Sequence, residues 1–194
     1  MPEQKIFFTG DLHLGHKDIL IYEREFRPFK SIEEMHEKII ENWNLKIIND
    51  DSKCYILGDL TFTSQKNTTD IISKLKGIKY LVKGAHDIKP NQWYRDCGIE
   101  EVYDEIVILK KFEYFALSHE SMLYIKPPFI NIHAHSHSSP NIPTFTPASA
   151  CVSLDRWNMA PVSAKTIELN IFRLQRQMET TLSMYKPIET VEDK

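Results

Sequence analysis

Short apolar runs alternate with helical patterns over residues 5–84, and this alternation constrains the fold more than any other feature. Strands are predicted over 5–9, 53–57 and 78–82, because each is a brief apolar run that a turn residue stops. Helices are predicted between them, over 31–48 and 67–76. Strand, helix, strand, helix, strand is the order of an α/β sheet, so we predict the α/β class.

The two helical patterns carry their own boundary signals. Ser31 followed by Glu34 is typical of a capping box, and Gly77 is expected to end the second helix. In the first helix, apolar residues recur at spacings of three and four, which predicts one buried face. That face consists of Ile32, Met35, Ile39, Trp43 and Ile47.

The second half of the chain has a different character. Strands are predicted over 101–109, 112–117, 131–133 and 150–154, followed by a last helix over 163–180. One face of that helix contains Ile167, Ile171, Leu174 and Met178. A length of 194 residues without repeats or a long linker predicts a single domain over 1–194, with a frayed tail at 186–194.

Asp or His follows a predicted strand at five separate places. These residues are Asp11 and His13, then Asp59, then His86 and Asp87, then His119, and finally His135 and His137. In open α/β sheets, ligands bind beyond the carboxyl ends of the strands. One such residue alone is usually a turn former, but five sets in register with strand ends predict a metal site. Mixed carboxylate and imidazole ligands suit Mn²⁺, Fe, Co²⁺ or Zn²⁺.

The order of these motifs (D-x-H, G-D, G-A-H-D, H, H-x-H) resembles the signature of the calcineurin-like metallophosphoesterases. Segments 13–19, 27–29, 33–35, 41–44 and 155–163 resemble a small bacterial and phage subfamily of predicted phosphoesterases. The similarity extends from about Ile6 to Glu168. It implies a four-layer αββα sandwich that holds two metal ions. The motifs are specific for the superfamily but say little about the substrate.

The resemblance also implies a role for each motif residue. One ion would be bound by Asp11, His13, Asp59 and His137, and the other by Asp59, which bridges, with His119 and His135. His86 would protonate the leaving oxygen as a general acid, with Asp87 orienting its ring. Mn²⁺ is the first candidate for both ions, with Fe, Zn²⁺, Co²⁺ and Ni²⁺ as alternatives.

Two positions depart from the family pattern. Ala85 stands where the family has an Asn that binds the second metal and faces the phosphate. Because an alanine side chain has no donor or acceptor, the resemblance implies an impaired form of the enzyme. Its origin, an engineered substitution that traps substrate or natural drift, stays open. Ala134 replaces a family glycine, which matters only if the backbone there requires a positive φ.

Several other residues receive weaker assignments. His16, Lys17 and Tyr124 are candidate substrate contacts. His133 and His36 are expected to be structural. The basic and aromatic stretch over 17–30 is interpreted as a solvated face, with guidance of an anionic substrate as the alternative.

Composition narrows the class of protein. A net charge of −3 disfavours a non-specific DNA-coating protein. No apolar run approaches the ~18 residues of a membrane helix, and the start lacks a secretory layout, so we expect a cytoplasmic protein without a membrane partner. Three widely spaced cysteines indicate reduced thiols.

These inferences predict a metal-dependent phosphoesterase that uses a metal-activated hydroxide. The favoured substrate is a phosphodiester, such as a cyclic nucleotide or a nucleic-acid end. A phosphomonoesterase is the alternative within this class. A catalytically degenerate scaffold that binds metal or phosphate is the alternative outside it. The sequence leaves the oligomeric state open.

Overall fold

The computed structural model describes residues 5–104, 107–109 and 114–184. The strands in these segments are β1 (Ile6–Thr9), β2 (Lys53–Leu57), β3 (Ile78–Val82), β4 (Glu101–Tyr103), β5 (Val107–Leu109), β6 (Phe115–Leu117), β7 (Ile130–His133), β8 (Phe145–Thr146), β9 (Ser149–Cys151) and β10 (Val162–Ser163). The α-helices in them are α1 (Ile19–Tyr22), α2 (Ile32–Lys46), α3 (Gln65–Ile72), α4 (Asn91–Asp96) and α5 (Ala164–Ser183).

The strands form two mixed sheets. The first has the order β10-β1-β2-β3-β4, in which β1 to β4 are parallel and β10 is antiparallel. The second has the order β5-β6-β7-β9-β8, in which β6, β7 and β9 are parallel and the edge strands are antiparallel. The predicted α/β class is confirmed.

Buried side chains pack on both faces of the first sheet. On one face, Ile56 and Leu81 lie in a cluster with Met35 and Trp43 of α2. On the other face, residues of β1, β2 and β3 share a cluster with residues of β6 and β7. In this cluster the rings of Phe8 and Phe115 meet edge to face, with centroids 5.8 Å apart. The sheets therefore pack against each other. A helical layer outside the second sheet, the fourth layer of the predicted sandwich, stays a prediction.

The start signal of α2 is confirmed in part. Ser31 is the N-cap, and its hydroxyl accepts a hydrogen bond from the backbone N–H of Glu34. The Glu34 carboxylate, however, accepts from the N–H of Lys30 rather than from that of Ser31, so the capping box is not reciprocal. The predicted buried face is confirmed, since Met35, Ile39 and Trp43 are fully buried.

Other predicted boundaries differ from the structure. Helix α3 begins earlier than predicted, because Ser64 caps its N-terminus, and it ends at Ile72 instead of near Gly77. The predicted strand over 101–109 is two strands, β4 and β5, which belong to different sheets. Part of the predicted strand over 112–117 and the tail at 186–194 lie outside the described residues.

Helix α5 is longer than predicted, and its apolar face is only partly covered. Ile167 and Ile171 are buried, whereas Met178 is exposed. Across the described residues, no helix is long and apolar enough to cross a membrane.

Candidate metal centre

The loops after the parallel strands run side by side and bring the motif residues together. After β1 and β2, the N–H of Asp11 donates to the carbonyl of Gly58, and the N–H of His13 donates to that of Asp59. A hydrogen bond between the sheets completes the arrangement, since the N–H of His135 donates to Asp11 Oδ1 at 3.3 Å. The predicted convergence of strand ends is therefore observed.

Most of the predicted metal ligands have a left-handed backbone. The φ angles are 55° for Asp11, 49° for His13, 52° for Asp59, 62° for His135 and 42° for His137. This conformation is uncommon for residues other than glycine, and it concentrates at functional sites. In the D-x-H motif, both flanking side chains face the centre while Leu12 is fully buried in the core.

Among the described residues, two groups of side chains could each hold a metal ion. Asp11, His13 and His137 form group one; Asp59, His119 and His135 form group two. Within each group the candidate ligand atoms lie within 4.8 Å of one another. Six residues that the sequence predicts as ligands are thus the six that the fold brings together.

Group one contains two buried polar atoms without a partner. Asp11 Oδ2 and His13 Nε2 are buried and have no hydrogen-bond partner within the described part of the chain. An unsatisfied buried polar group lowers the stability of the folded state by about 1–3 kcal/mol, and a bound ion would satisfy both atoms. Burial raises the pKa of Asp11, and burial together with the charges of His137 and Arg27 lowers the pKa of His13 to about 2. A neutral imidazole beside a carboxylate is a suitable donor set for a divalent transition metal.

In group two, the hydrogen bonds of His119 select its ligand atom. The Nδ1–H of His119 can donate to the Leu57 carbonyl at 2.9 Å, which leaves Nε2 for an ion. That atom lies 3.1 Å from His135 Nδ1. Burial opposes the charged ring, but the hydrogen bonds that His119 donates to Asp59 and to the Leu57 carbonyl, with the charge of Asp11, outweigh it and raise the pKa of His119 to about 9.

Asp59 faces both groups. Its Oδ2 atom lies 3.6 Å from His13 Nε2 in group one and 3.5 Å from His119 Nε2 in group two. Its Oδ1 accepts a hydrogen bond from the N–H of His86. A carboxylate in this position matches the bridging role that the resemblance implies.

Glycine is required where the backbone passes closest to the centre. A Cβ at Gly58 would lie 2.2 Å from His119 Nδ1, and a Cβ at Gly84 would lie 2.5 Å from Asp59 Oδ1. Gly58 also has a φ of 80°. Any side chain at either position would displace a group-two residue.

An ion pair that sequence reasoning missed supports group one. Asp155 Oδ2 accepts from His137 Nδ1 at 2.9 Å, so Nε2 of His137 remains available for an ion. Arg27 Nε and Nη2 donate to the two oxygens of Asp155, and Nη2 also donates to the Asp11 carbonyl. Arg27 is fully buried, so the predicted solvated face over 17–30 is wrong at this residue. The segment similarities at 27–29 and 155–163 were the available signal.

Asp87 does not act as predicted. Its Oδ2 accepts hydrogen bonds from the N–H groups of Asp59 and Gly84, and its Oδ1 accepts from the N–H of Leu60. The carboxylate therefore connects the loops after β2 and β3 instead of orienting the His86 ring. The reason is geometric, since three converging backbone donors satisfy both of its oxygens.

His86 and Ala85 lie on the open side of the centre. His86 Nε2 is 4.0 Å from Asp59 Oδ2, and 57% of its side-chain surface is exposed. Ala85 is exposed and borders a cleft of about 260 Å³ that Gly84 and His119 also line. A larger cleft of about 950 Å³ lies beside β1, β10 and the start of α5, and none of the predicted site residues line it.

The weaker assignments have different outcomes. His16 contacts the centre, since its Nδ1 lies 3.0 Å from His13 Nδ1. Lys17 is exposed, and the exposed ring of Tyr124 lies under Lys126 Nζ at 5.9 Å, so both remain predictions as substrate contacts. His133 is buried at the end of β7 and its ring can donate to the Ala134 carbonyl. His36 accepts from the N–H of Gly15, in agreement with a structural role.

Ala134 fits its position. It lies outside the left-handed region, so the backbone there does not require glycine. Its Cβ packs closely over Gly10, where an added Cβ would lie 2.4 Å away.

Comparisons with known proteins give partial relatives. No family model matches the chain. The uncharacterized protein MJ1445 of Methanocaldococcus jannaschii is 34% identical over 89 residues, 45% of this chain and 49% of the relative. The gene 66 protein of Mycobacterium phage L5 is 33% identical over 95 residues, 47% of this chain and 43% of the relative. The chain thus spans about half the length of the curated relatives that it matches.

Two solved structures align with parts of this chain. The protein of unknown function AQ665 from Aquifex aeolicus aligns with a TM-score of 0.68 and 24% identity, over 86% of this chain and 98% of that one. The nuclease MPE of Pseudomonas putida aligns with a TM-score of 0.48 and 18% identity, over 68% of this chain and 61% of that one. The first alignment shows that the fold of this chain occurs in another protein.

Proposed function

We propose that this chain is a dinuclear-metal-dependent phosphoesterase of the calcineurin-like superfamily, with the four-layer αββα sandwich of that family. The observation that carries the proposal is the junction of two His/Asp groups at Asp59, together with the unpartnered buried atoms of Asp11 and His13. Group one and group two would each hold one divalent transition-metal ion. Mn²⁺ is the first candidate, and Fe, Zn²⁺, Co²⁺ and Ni²⁺ are the alternatives.

Each site residue has a distinct task in this proposal. Two divalent ions close together activate water and clamp phosphate oxygens, which is the chemistry that they supply when bound. Asp59 holds the two groups at a fixed separation. Asp87 positions the loop of His86 by accepting from Asp59 and Gly84. The exposed His86 ring can then donate a proton from Nε2 to a leaving oxygen.

A phosphodiester is the favoured substrate. An alkoxide leaving group requires a proton, and His86 supplies a donor at the open side of the centre. A cyclic nucleotide and a nucleic-acid end both meet this description. A phosphomonoester is the alternative within the class.

Ala85 supports a second candidate function, a scaffold that binds metal or phosphate without turnover. Its methyl group borders the cleft beside His119 and offers no hydrogen-bond donor or acceptor. A form impaired by Ala85 and a true scaffold differ in one property, the response to restoring an amide there.

The test uses the full chain, the Ala85→Asn variant and a control variant with a substitution outside the site. Each is dialysed against Mn²⁺, its metal content is measured, and it is assayed on bis-p-nitrophenyl phosphate and p-nitrophenyl phosphate. We expect up to two ions per chain, turnover that rises in Ala85→Asn, and a preference for the diester. The control is Asp70→Asn, which removes an exposed carboxylate on α3 and should change neither the metal content nor the turnover. Two bound ions with no turnover in either form would favour the scaffold, and no bound metal would overturn both the phosphoesterase and a metal-binding scaffold.

A further inference from the structure

Phe62 forms an aromatic wall beside the metal centre. It lies in the loop after β2, where its N–H donates to the Leu14 carbonyl at 2.8 Å. Its ring stacks on His16 with centroids 4.2 Å apart and on His13 with centroids 5.0 Å apart. It also meets the His86 ring at 5.0 Å and an angle of 49°. Even so, 39% of its surface remains exposed.

The rings continue outward from Phe62 to the surface. The centroid of His16 lies 6.2 Å from that of Tyr22, which is 71% exposed at the end of α1. His86, Phe62, His16 and Tyr22 therefore form a continuous series, which we call the aromatic row. It begins at the proposed general acid and ends in solvent.

Core packing does not account for the aromatic row. Neither Phe62 nor Tyr22 belongs to the two described buried clusters that hold the helices and sheets together. Large exposed rings beside a polar centre are a frequent property of binding sites, because an apolar surface next to fixed polar groups gives a ligand both affinity and orientation. The row thus has the form of a ligand-binding surface.

We propose that Phe62 and Tyr22, with the His16 ring between them, form a base-stacking platform, so that the substrate carries a nucleobase next to the scissile phosphate. This inference rests on the proposed function, because the metal centre fixes where the phosphate lies. Every nucleobase has a flat π-face, and aromatic side chains stack on such faces with little dependence on base identity. The platform therefore selects nucleotides as a class and accepts any base.

The position of the row supports this assignment. Phe62 contacts His13 of group one and His86 on the open side, so a base on Phe62 lies directly beside the phosphate position. Tyr22 is farther out, where a second base of an oligonucleotide would stack. The row predicts tighter binding of a dinucleotide than of a mononucleotide, with Tyr22 responsible for the difference.

The first experiment measures binding, which is independent of turnover. Titration calorimetry on the full chain in Mn²⁺ compares adenosine 5′-monophosphate with ribose 5-phosphate, which has the same phosphate but no base. We expect the nucleotide to bind more tightly by about 10-fold or more, the scale of one base stacked on an aromatic ring. Phe62→Leu should remove most of this preference while the affinity for ribose 5-phosphate stays unchanged.

Two further variants separate the platform from the centre. Tyr22→Leu changes a ring that meets His16 and belongs to neither metal group. It should lower the affinity for a dinucleotide such as dTpdT by about 5-fold or more, without changing mononucleotide binding. Phe26→Leu changes another exposed ring on the same segment and is the matched control, with no effect expected. If Phe62→Leu also disturbs His13, the affinity for ribose 5-phosphate falls as well. The effect of Tyr22→Leu on dinucleotide binding then tests the platform.

The outcomes distinguish this inference from the proposed function. Equal affinity for the nucleotide and ribose 5-phosphate, or no response to both Phe62→Leu and Tyr22→Leu, would overturn the platform. Turnover of methyl p-nitrophenyl phosphate, which has no base, by Ala85→Asn tests the phosphoesterase separately. Turnover without base preference removes the platform alone, whereas base preference without any turnover supports the platform and overturns the phosphoesterase.

Discussion

The two metal-binding groups are built from the same residue types but differ in completeness. In group one, Asp11 and His13 are buried, and His137 is held by the ion pair of Asp155 and Arg27. In group two, His135 is exposed, and the position that would add an amide is Ala85. Group one is largely buried, whereas group two is open on the side of the His86 loop.

The histidines of the two groups also differ in electrostatic environment. Burial first, and then the charges of His137 and Arg27, lower the pKa of His13 to about 2. Burial opposes the charged forms of His119 and His137, but their hydrogen bonds to Asp59 and to Asp155 outweigh it, so the pKa of His119 rises to about 9 and that of His137 is also raised. Each group therefore contains one histidine that has to release a proton when it binds an ion. Since group two is the one that Ala85 leaves without the amide of the family pattern, we expect group one to bind its ion more tightly.

The largest expected effect removes the residue that both groups share. In the Ala85→Asn background, Asp59→Ala should lower kcat by about 10³-fold or more, beyond the cost of losing one oxyanion donor, because both ions lose a ligand. Steady-state kinetics in saturating Mn²⁺ together with metal analysis would measure this. Asp70→Asn is the control on α3. Retention of two ions by Asp59→Ala would mean that Asp59 does not bridge.

The next prediction concerns the support of group one. Arg27→Met leaves Asp155 as a buried charge with one fewer partner, so the free energy of unfolding should fall by about 3–5 kcal/mol at neutral pH. Guanidinium titration measures this change. Arg24→Met alters an exposed arginine of the same segment and should have little effect.

The pH dependence sharpens this test. Burial opposes ionisation of Asp155, but the hydrogen bonds from Arg27 and His137 outweigh it and hold the pKa of its carboxyl below the usual value. The stabilisation is therefore complete above the ordinary aspartate range and is lost as the pH falls through the lower folded-state pKa. The difference between the parent chain and Arg27→Met should shrink in acid. A constant difference would show that packing, not charge, explains the loss.

Restoring the amide should make the two groups more alike. Ala85→Asn is expected to raise kcat by about two orders of magnitude. It should also raise the affinity for the more weakly bound ion by about 10–100-fold, with a smaller effect on substrate binding. Calorimetric titration with Mn²⁺ should show two binding events of unequal affinity in the parent chain, and a smaller difference between the two affinities in the variant. Equal turnover of the two forms at saturating Mn²⁺ would make Ala85 an ordinary substitution.

The sequence predicts the candidate ligands of both groups better than it predicts the residues that hold those ligands in position. Asp11, Asp59 and His119 each come two residues after the end of a strand, and the geometry of a parallel sheet places such residues together. Arg27 and Asp155 are 128 positions apart in the sequence, and neither lies in a periodic pattern that indicates the contact. Their contact depends on how the two sheets pack, which local patterns do not encode.

Asp87 and Phe62 show the same limit within the centre. The H-D motif predicts that Asp87 is important but not that three backbone N–H groups occupy its carboxylate. Phe62 lies three residues after Asp59 without a motif of its own, and only the fold places its ring against His13. Residue type at a strand end is predictable, whereas its partners depend on long-range packing.

The smallest expected effect is at His16, which contacts group one from outside. His13 can donate from Nδ1 to His16 Nδ1 at 3.0 Å, which fixes the orientation of the ring and leaves Nε2 for the ion. In the Ala85→Asn background, His16→Ala should weaken Mn²⁺ at group one by about 10-fold and lower turnover by a similar factor at limiting metal. Saturating Mn²⁺ should restore most of the rate, because His16 orients a ligand and is not one itself. A loss as severe as that of Asp59→Ala at saturating metal would instead place His16 among the groups that contact the reacting phosphate.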